Sequence, residues 1–273
     1  MSARSNGRVF ECVAVDLNTQ RDFCEPGGAF PIANLPELIP ALRRTIAWVK
    51  RNQVPTIASV ESHREWELSD SGNPIHCVDG SDGQEKLDFT LFSNRTYIRS
   101  DNTLSLPNDL FLRFQQVIFW KRADDLLTNP KADRMLTQLP VREYIIFGVG
   151  VETSVKALAL ALLARAKQVS IVMDAGGHWS RGTADLAFRQ MAAKGARLTT
   201  VEELMSRKLD RCFRYGPTPG LVQFRGAASA FRGFAAPPNG HSRQHGMIRS
   251  RLPLSPTHVR IPEGNKTPPS VGP

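Results

Sequence analysis

At 273 residues, 41% hydrophobic and 22% charged, the chain is long enough to bury one sizeable α/β core. Its formal net charge of +9 falls entirely within residues 206–273, which hold 11 Lys and Arg against 2 Asp and Glu; the neutral remainder carries no excess charge for a polyanion, so nucleic-acid binding is not expected of it, and the tail reads first as a solvated segment and second as a contact for nucleic acid or an acidic partner. Four cysteines without CxxC spacing predict a reducing, cytoplasmic setting; no signal peptide is expected ahead of the first apolar strand, and no apolar run reaches the roughly 18 residues of a membrane span.

Val9 to Val15 reads as a buried parallel strand ending at Asp16, followed by a polar loop with Pro26-Gly27-Gly28. Leu35 to Arg51 is an amphipathic helix, with Leu38, Ile39, Leu42, Ile46 and Val49 on one face and Asn34 as its cap. Pro55 to Val60 is the second strand and delivers Glu61-Ser62-His63. Arg64 to Arg95 is a long polar excursion containing Pro74-Ile75-His76-Cys77, and Tyr97 to Leu104 adds a short strand at most. Gln115 to Trp120 is a strand delivering Lys121, and Asp124 to Gln138 a helix. Tyr144 to Val149 runs into a glycine turn and a helix from about Thr153 to Ala166. Gln168 to Met173, a helix over 183–194, Arg197 to Thr200 and a terminal helix over 201–207 complete the pattern. This alternation predicts an α/β domain over residues 1–206: three αβα layers around a six-stranded, mostly parallel sheet. Residues 207–273 hold 10 of the 19 prolines and few aliphatics, and are expected to be a disordered basic tail.

In a parallel sheet the C-terminal strand ends converge on one crevice. Asp16, Lys121 and Ser154 all fall at or just past such ends. Ser154 follows a turn whose backbone amides, at Val149, Gly150 and Thr153, are placed to receive an anion or a developing oxyanion. Each residue also has a plain structural role: Asp16 in a loop cap, Lys121 as a solvated strand end, Thr153 or Ser154 as a helix cap. Glu61, His63 and His76 supply one carboxylate and two imidazoles with open positions, a donor set suited to Zn²⁺, Fe²⁺ or Mn²⁺.

Taken together these motifs resemble the isochorismatase-like cysteine hydrolases, nicotinamidases in particular, over about residues 9–206. The matching segments are Asp16, then Asp22-Phe23-Cys24-Glu25-Pro26-Gly27-Gly28; Glu61-Ser62-His63 with Pro74-Ile75-His76-Cys77-Val78; Lys121; Gly148-Val149-Gly150-Val151-Glu152-Thr153-Ser154-Val155-Lys156-Ala157; and Asp174-Ala175 with Thr199-Thr200-Val201-Glu202-Glu203-Leu204. The resemblance implies hydrolysis of a small amide or related molecule, with Asp16, Lys121 and Ser154 in the places of an Asp/Lys/Cys triad. It also implies a divalent metal that holds the substrate ring nitrogen, and frequent homo-oligomers.

Three departures stand out. Ser154 occupies the cysteine position, Glu61 replaces an aspartate metal ligand, and the interval from Asp16 to Asp22 is two residues longer than usual. A thiol of pKa about 8.5 ionises near neutrality, whereas a serine hydroxyl needs a placed base. Two other readings therefore stand beside amide hydrolysis: a catalytically inactive member that binds a small ligand or partner, and vinyl-ether hydrolysis with Asp16 as proton donor and no nucleophile.

Overall fold

The first strand, β1 (Phe10–Leu17), sends Val13, Val15 and Leu17 to one face and Cys12 and Ala14 to the other, and both sets are buried. β5 (Val141–Val149) divides likewise, with Tyr144 and Ile146 against Ile145, Phe147 and Val149. Strands apolar on both faces require a layer on each side. The helix Leu35–Arg51, with Val201–Ser206, covers one face through Leu38, Leu42, Ile46, Val49, Val201 and Leu204. The helices Pro130–Gln138, Lys156–Ala164 and Arg181–Ala193 cover the other.

This computed structural model describes residues 9–68, 72–101, 103–107 and 109–209. The expected disordered tail lies outside the described residues beyond 209. The described chain continues past 206, where Arg207 pairs with Glu143 and Leu209 packs against the core. No helix among the described residues is long and apolar enough to cross a membrane.

The sheet has seven strands, not six, in the order β3-β4-β2-β1-β5-β6-β7, and every pairing is parallel. β2 is Thr56–Glu61, β4 Gln116–Lys121, β6 Gln168–Gly177 and β7 Arg197–Thr199. The additional strand, β3 (Arg95–Ile98), pairs with β4 at the outer edge. Arg95 and Tyr97 face solvent, so its four residues carry no apolar run. The expected helix from Asp124 begins only at Pro130. Asn129 accepts the amides of Lys131 and Ala132, and Pro130 takes the first helical position. Asn34 does not cap its helix; its side chain donates to the Gly176 carbonyl and accepts from the His178 amide, tying the helix start to the end of β6.

β1 and β5 lie side by side, and the chain leaves them in opposite directions, β1 toward β2 and β5 toward β6. The crevice beyond their ends is the switch point where α/β sheets bind ligands. Gly148 makes that close approach possible. Its φ is +115°, and a Cβ there would stand 2.1 Å from the Leu17 carbonyl oxygen. Gly148→Ala is expected to destabilise the fold by about 3 kcal/mol or more, read from the midpoint of a urea titration.

Candidate active site

The switch point gathers groups from four strand ends. Glu61 and Lys121 are register partners at the ends of β2 and β4, so their side chains share one side of the sheet. Lys121 Nζ donates to Glu61 Oε1 at 2.8 Å, to the Ala123 carbonyl at 2.9 Å and to Ser154 Oγ at 3.3 Å. Ser154 itself is delivered by a turn after β5. Gly150 takes the left-handed conformation, φ 84°, and Val151–Val155 form one π-helical turn closed by the Val155 amide on the Gly150 carbonyl. Ser154 therefore sits inside this turn and makes no capping bond, and Lys121 is buried rather than solvated.

The amides assigned to the turn are partly spent within it. Gly150 N–H donates to the Gly177 carbonyl at 3.0 Å and Thr153 N–H to the Gly150 carbonyl at 3.1 Å, while Val149 lies inside β5. These bonds hold the turn's shape and leave the Gly150 and Thr153 amides engaged.

Asp16 is not among the groups bonded to Ser154 or Lys121. β1 runs two residues further than its apolar pattern indicates, to Leu17, so Asp16 lies within the strand, paired in register with Phe147. The carboxylate is fully buried. Thr19 Oγ1 donates to its Oδ1 at 2.8 Å, and Lys86 Nζ stands 3.1 Å from its Oδ2. The residue at the strand's end is Asn18, in a left-handed conformation with φ 51°. Its Nδ2 donates to Ser154 Oγ at 2.9 Å and to Glu61 Oε1 at 2.7 Å, while its Oδ1 accepts from Ser59 Oγ at 2.7 Å. Sequence reasoning missed Asn18 and Lys86. The two-residue surplus between Asp16 and Asp22 was the available sign, because counting back from Asp22 by the shorter interval lands on Asn18.

Glu61 Oε2 faces the two histidines, 3.3 Å from His63 Nε2 and 3.5 Å from His76 Nε2. One ligand atom from each of the three residues lies within 4.8 Å of the others, and all three residues are buried. Metal–ligand bonds of about 2.1 Å in tetrahedral arrangement put ligand atoms about 3.4 Å apart, so the set fits a Zn²⁺-sized ion. His76 Nδ1 lies 2.7 Å from the Pro74 carbonyl, which can accept its hydrogen, and Nε2 is the ring nitrogen turned toward Glu61 Oε2 and the ligand position. Lys121 and Asn18 occupy the far carboxylate oxygen and orient it. Burial alone would raise the Glu61 carboxyl; Lys121 and the hydrogen bonds from His63 and His76 hold it well below the usual carboxylate range. Burial lowers the His76 imidazole, but bonding to Glu61 and Pro74 leaves it raised overall.

The loop carrying His76 is fixed by Asp22, whose carboxylate accepts the Cys77 amide at 2.6 Å and the Ala29 amide at 2.9 Å. His63 bridges the same loop, donating to the Cys77 carbonyl and accepting from the Asp79 amide through its backbone. Phe23 and Phe30 each lie 5.2 Å from the His76 ring, and Trp179 stacks on Phe30 at 4.6 Å, so His76 is backed by two aromatic rings with a third behind them. Cys24 and Cys77 are buried, and burial raises both thiols, that of Cys24 to about 12, which suits packing rather than attack. His76→Ala is expected to weaken zinc binding by at least about tenfold to a hundredfold, measured by competition with a chromophoric chelator.

The family model for the isochorismatase domain matches residues 12–203. No characterised protein sequence matches at a significant level. Among solved structures, a pyrazinamidase of Pyrococcus horikoshii in complex with zinc is 24% identical, covering 70% of this chain and 99% of its own, with TM-score 0.54. PnC1 from L. infantum in complex with nicotinate is 16% identical, covering 70% and 93%, with TM-score 0.55. An N-carbamoylsarcosine amidase from Thermoplasma acidophilum is 19% identical, covering 71% and 98%, with TM-score 0.52. At these identities the neighbours speak for the fold. The family model spans every strand end described above, from the end of β1 to the last helix, and on that ground the chain belongs to the isochorismatase family.

Proposed function

We propose that this chain binds a small planar molecule at a divalent metal centre formed by Glu61, His63 and His76, and does so without covalent amide hydrolysis. The observation that carries the proposal is the environment of Ser154. Both hydrogen-bond partners of its Oγ among the described residues, Asn18 Nδ2 and Lys121 Nζ, are donors. Two donors would steady an alkoxide, but a nucleophilic hydroxyl must first give its proton to an acceptor. Asn18 has no basic oxygen to offer, since its Oδ1 is held by Ser59. Lys121 is engaged with Glu61 and the Ala123 carbonyl.

The zinc and nicotinate named with two structural neighbours suggest the ligand chemistry, a planar nitrogen heterocycle beside a metal. The vinyl-ether reading needs Asp16 at the crevice and gains no support from a carboxylate held by Thr19 and Lys86 inside β1. Hydrolysis of a small amide or related molecule without a nucleophile is a second reading, favoured by the convergence of Glu61, His63 and His76. A metal ion held there would supply a water of lowered pKa.

Zinc-loaded protein titrated with nicotinamide and pyrazinamide in a calorimeter, then assayed for ammonia, separates these readings. Binding without ammonia release is the expected result. Ammonia release abolished by Ser154→Ala would overturn the proposal, and metal-dependent release unaffected by Ser154→Ala would favour the second reading.

A further inference from the structure

Within this ligand-site reading, we infer that the pocket selects an aromatic carboxylate over the corresponding amide. The polar atoms around Ser154 Oγ carry the distinction. Asn18 Nδ2 at 2.9 Å and Lys121 Nζ at 3.3 Å both point hydrogens at it. Because both of these neighbours donate, the Ser154 proton is not drawn toward either and is available to a ligand.

The orientation of Asn18 is fixed by its own partners. Nδ2 reaches the Glu61 carboxylate at 2.7 Å and Oδ1 accepts the Ser59 hydroxyl at 2.7 Å; the flipped amide would aim its oxygen at a carboxylate. The acceptors nearby are already in use. Glu61 Oε1 takes hydrogens from both Lys121 and Asn18, Glu61 Oε2 faces the histidines, and the Ala123 carbonyl takes Lys121. The Asn18 and Lys121 hydrogens are taken by Glu61, the Ala123 carbonyl and Ser154 Oγ, so a carboxylate beside Ser154 would accept the open Ser154 hydrogen and lie next to the Lys121 ammonium, with no hydrogen of its own to place. A primary amide would bring two N–H donors to the same place and leave one or both unpaired out of water. The rings of Phe23 and Phe30 against His76, with Trp179 stacked on Phe30, would suit a planar, aromatic ligand.

The test is calorimetric titration of the full chain with two matched pairs, nicotinate with nicotinamide and benzoate with benzamide. Each is run on zinc-loaded protein and again after chelation, with metal content measured. The acid of each pair is expected to bind at least about tenfold more tightly than its amide in both metal states. Asn18→Asp, its fold checked by circular dichroism, should remove that preference by adding a carboxylate that both repels the acid and accepts from an amide. Amides binding as tightly as acids would overturn this inference while leaving the ligand site in place. An acid preference that vanishes on chelation would also overturn it, since the ion and not the Ser154 hydroxyl and the Lys121 charge would then be holding the carboxylate. If zinc is bound and neither member of either pair binds, the ligand-site proposal falls and the inference with it.

Discussion

Combining Asn18→Asp with Ser154→Cys is expected to raise hydrolysis of nicotinamide from background by about 10²- to 10⁴-fold, the range a positioned base contributes. The two changes act on one hydrogen bond. Asn18 Nδ2 and Ser154 Oγ are 2.9 Å apart, so an aspartate there would place a carboxylate oxygen where the amide donor now stands, facing a thiol; the same oxygen would lie beside Glu61 Oε1, an opposition that Lys121 and Zn²⁺ loaded at Glu61 would offset, so the assay uses zinc-loaded protein. Lys121, at 3.3 Å from the Ser154 oxygen, would then stabilise the thiolate. Neither single change should reach the same rate. Ser154→Cys alone leaves a donor where the proton must go, and Asn18→Asp alone leaves an alcohol too weakly acidic for a carboxylate to activate. Ammonia release measured across wild type, both single variants and the double variant gives the coupling directly. Equal rates in all four would show that something other than these two positions silences the site, or that the substrate is of another class.

Lys86→Met is expected to destabilise the protein by about 3–5 kcal/mol, the usual cost of removing one partner from a buried ion pair. Lys86 and Asp16 are 3% and 0% exposed, so the carboxylate left behind has no route to water. Lys86 Nζ also donates to Thr19 Oγ1 at 2.7 Å, which in turn holds Asp16 Oδ1. The double variant Asp16→Asn/Lys86→Met removes both charges and should recover most of the loss. Urea titrations of the two variants decide the matter. A loss below about 1 kcal/mol for Lys86→Met would mean that the pair is solvated in a way its burial does not indicate. The consequence reaches the crevice, because Thr19 and the end of β1 carry Asn18 toward Ser154.

The layers and the direction of the sheet were legible because continuous apolar runs such as Ile145-Ile146-Phe147 can only be buried from both sides. Glu61 and Lys121 were legible as strand-end groups for the same reason: each closes an apolar run. That they meet at 2.8 Å follows from the β2–β4 register, which no local pattern contains. His76 was recognisable as a metal-type histidine from its motif, yet its approach to His63 depends on Asp22 holding the Cys77 amide from 55 residues away. β3 escaped the count because an edge strand needs one partner and no second apolar face.

The amino-acid order by itself determined that an acid, an amine, an alcohol and two imidazoles would lie at one end of a parallel sheet, since alternation of buried strands and amphipathic helices admits little else. Which carbonyl or carboxyl derivative faces the alcohol was decided only in three dimensions. The ladder with β5 continues through Asp16 and Leu17, and a two-residue difference is about 7 Å of strand, enough to sink Asp16 against Lys86 and bring Asn18 to Ser154. Inter-strand hydrogen bonding, formed between segments more than a hundred residues apart, fixed that length.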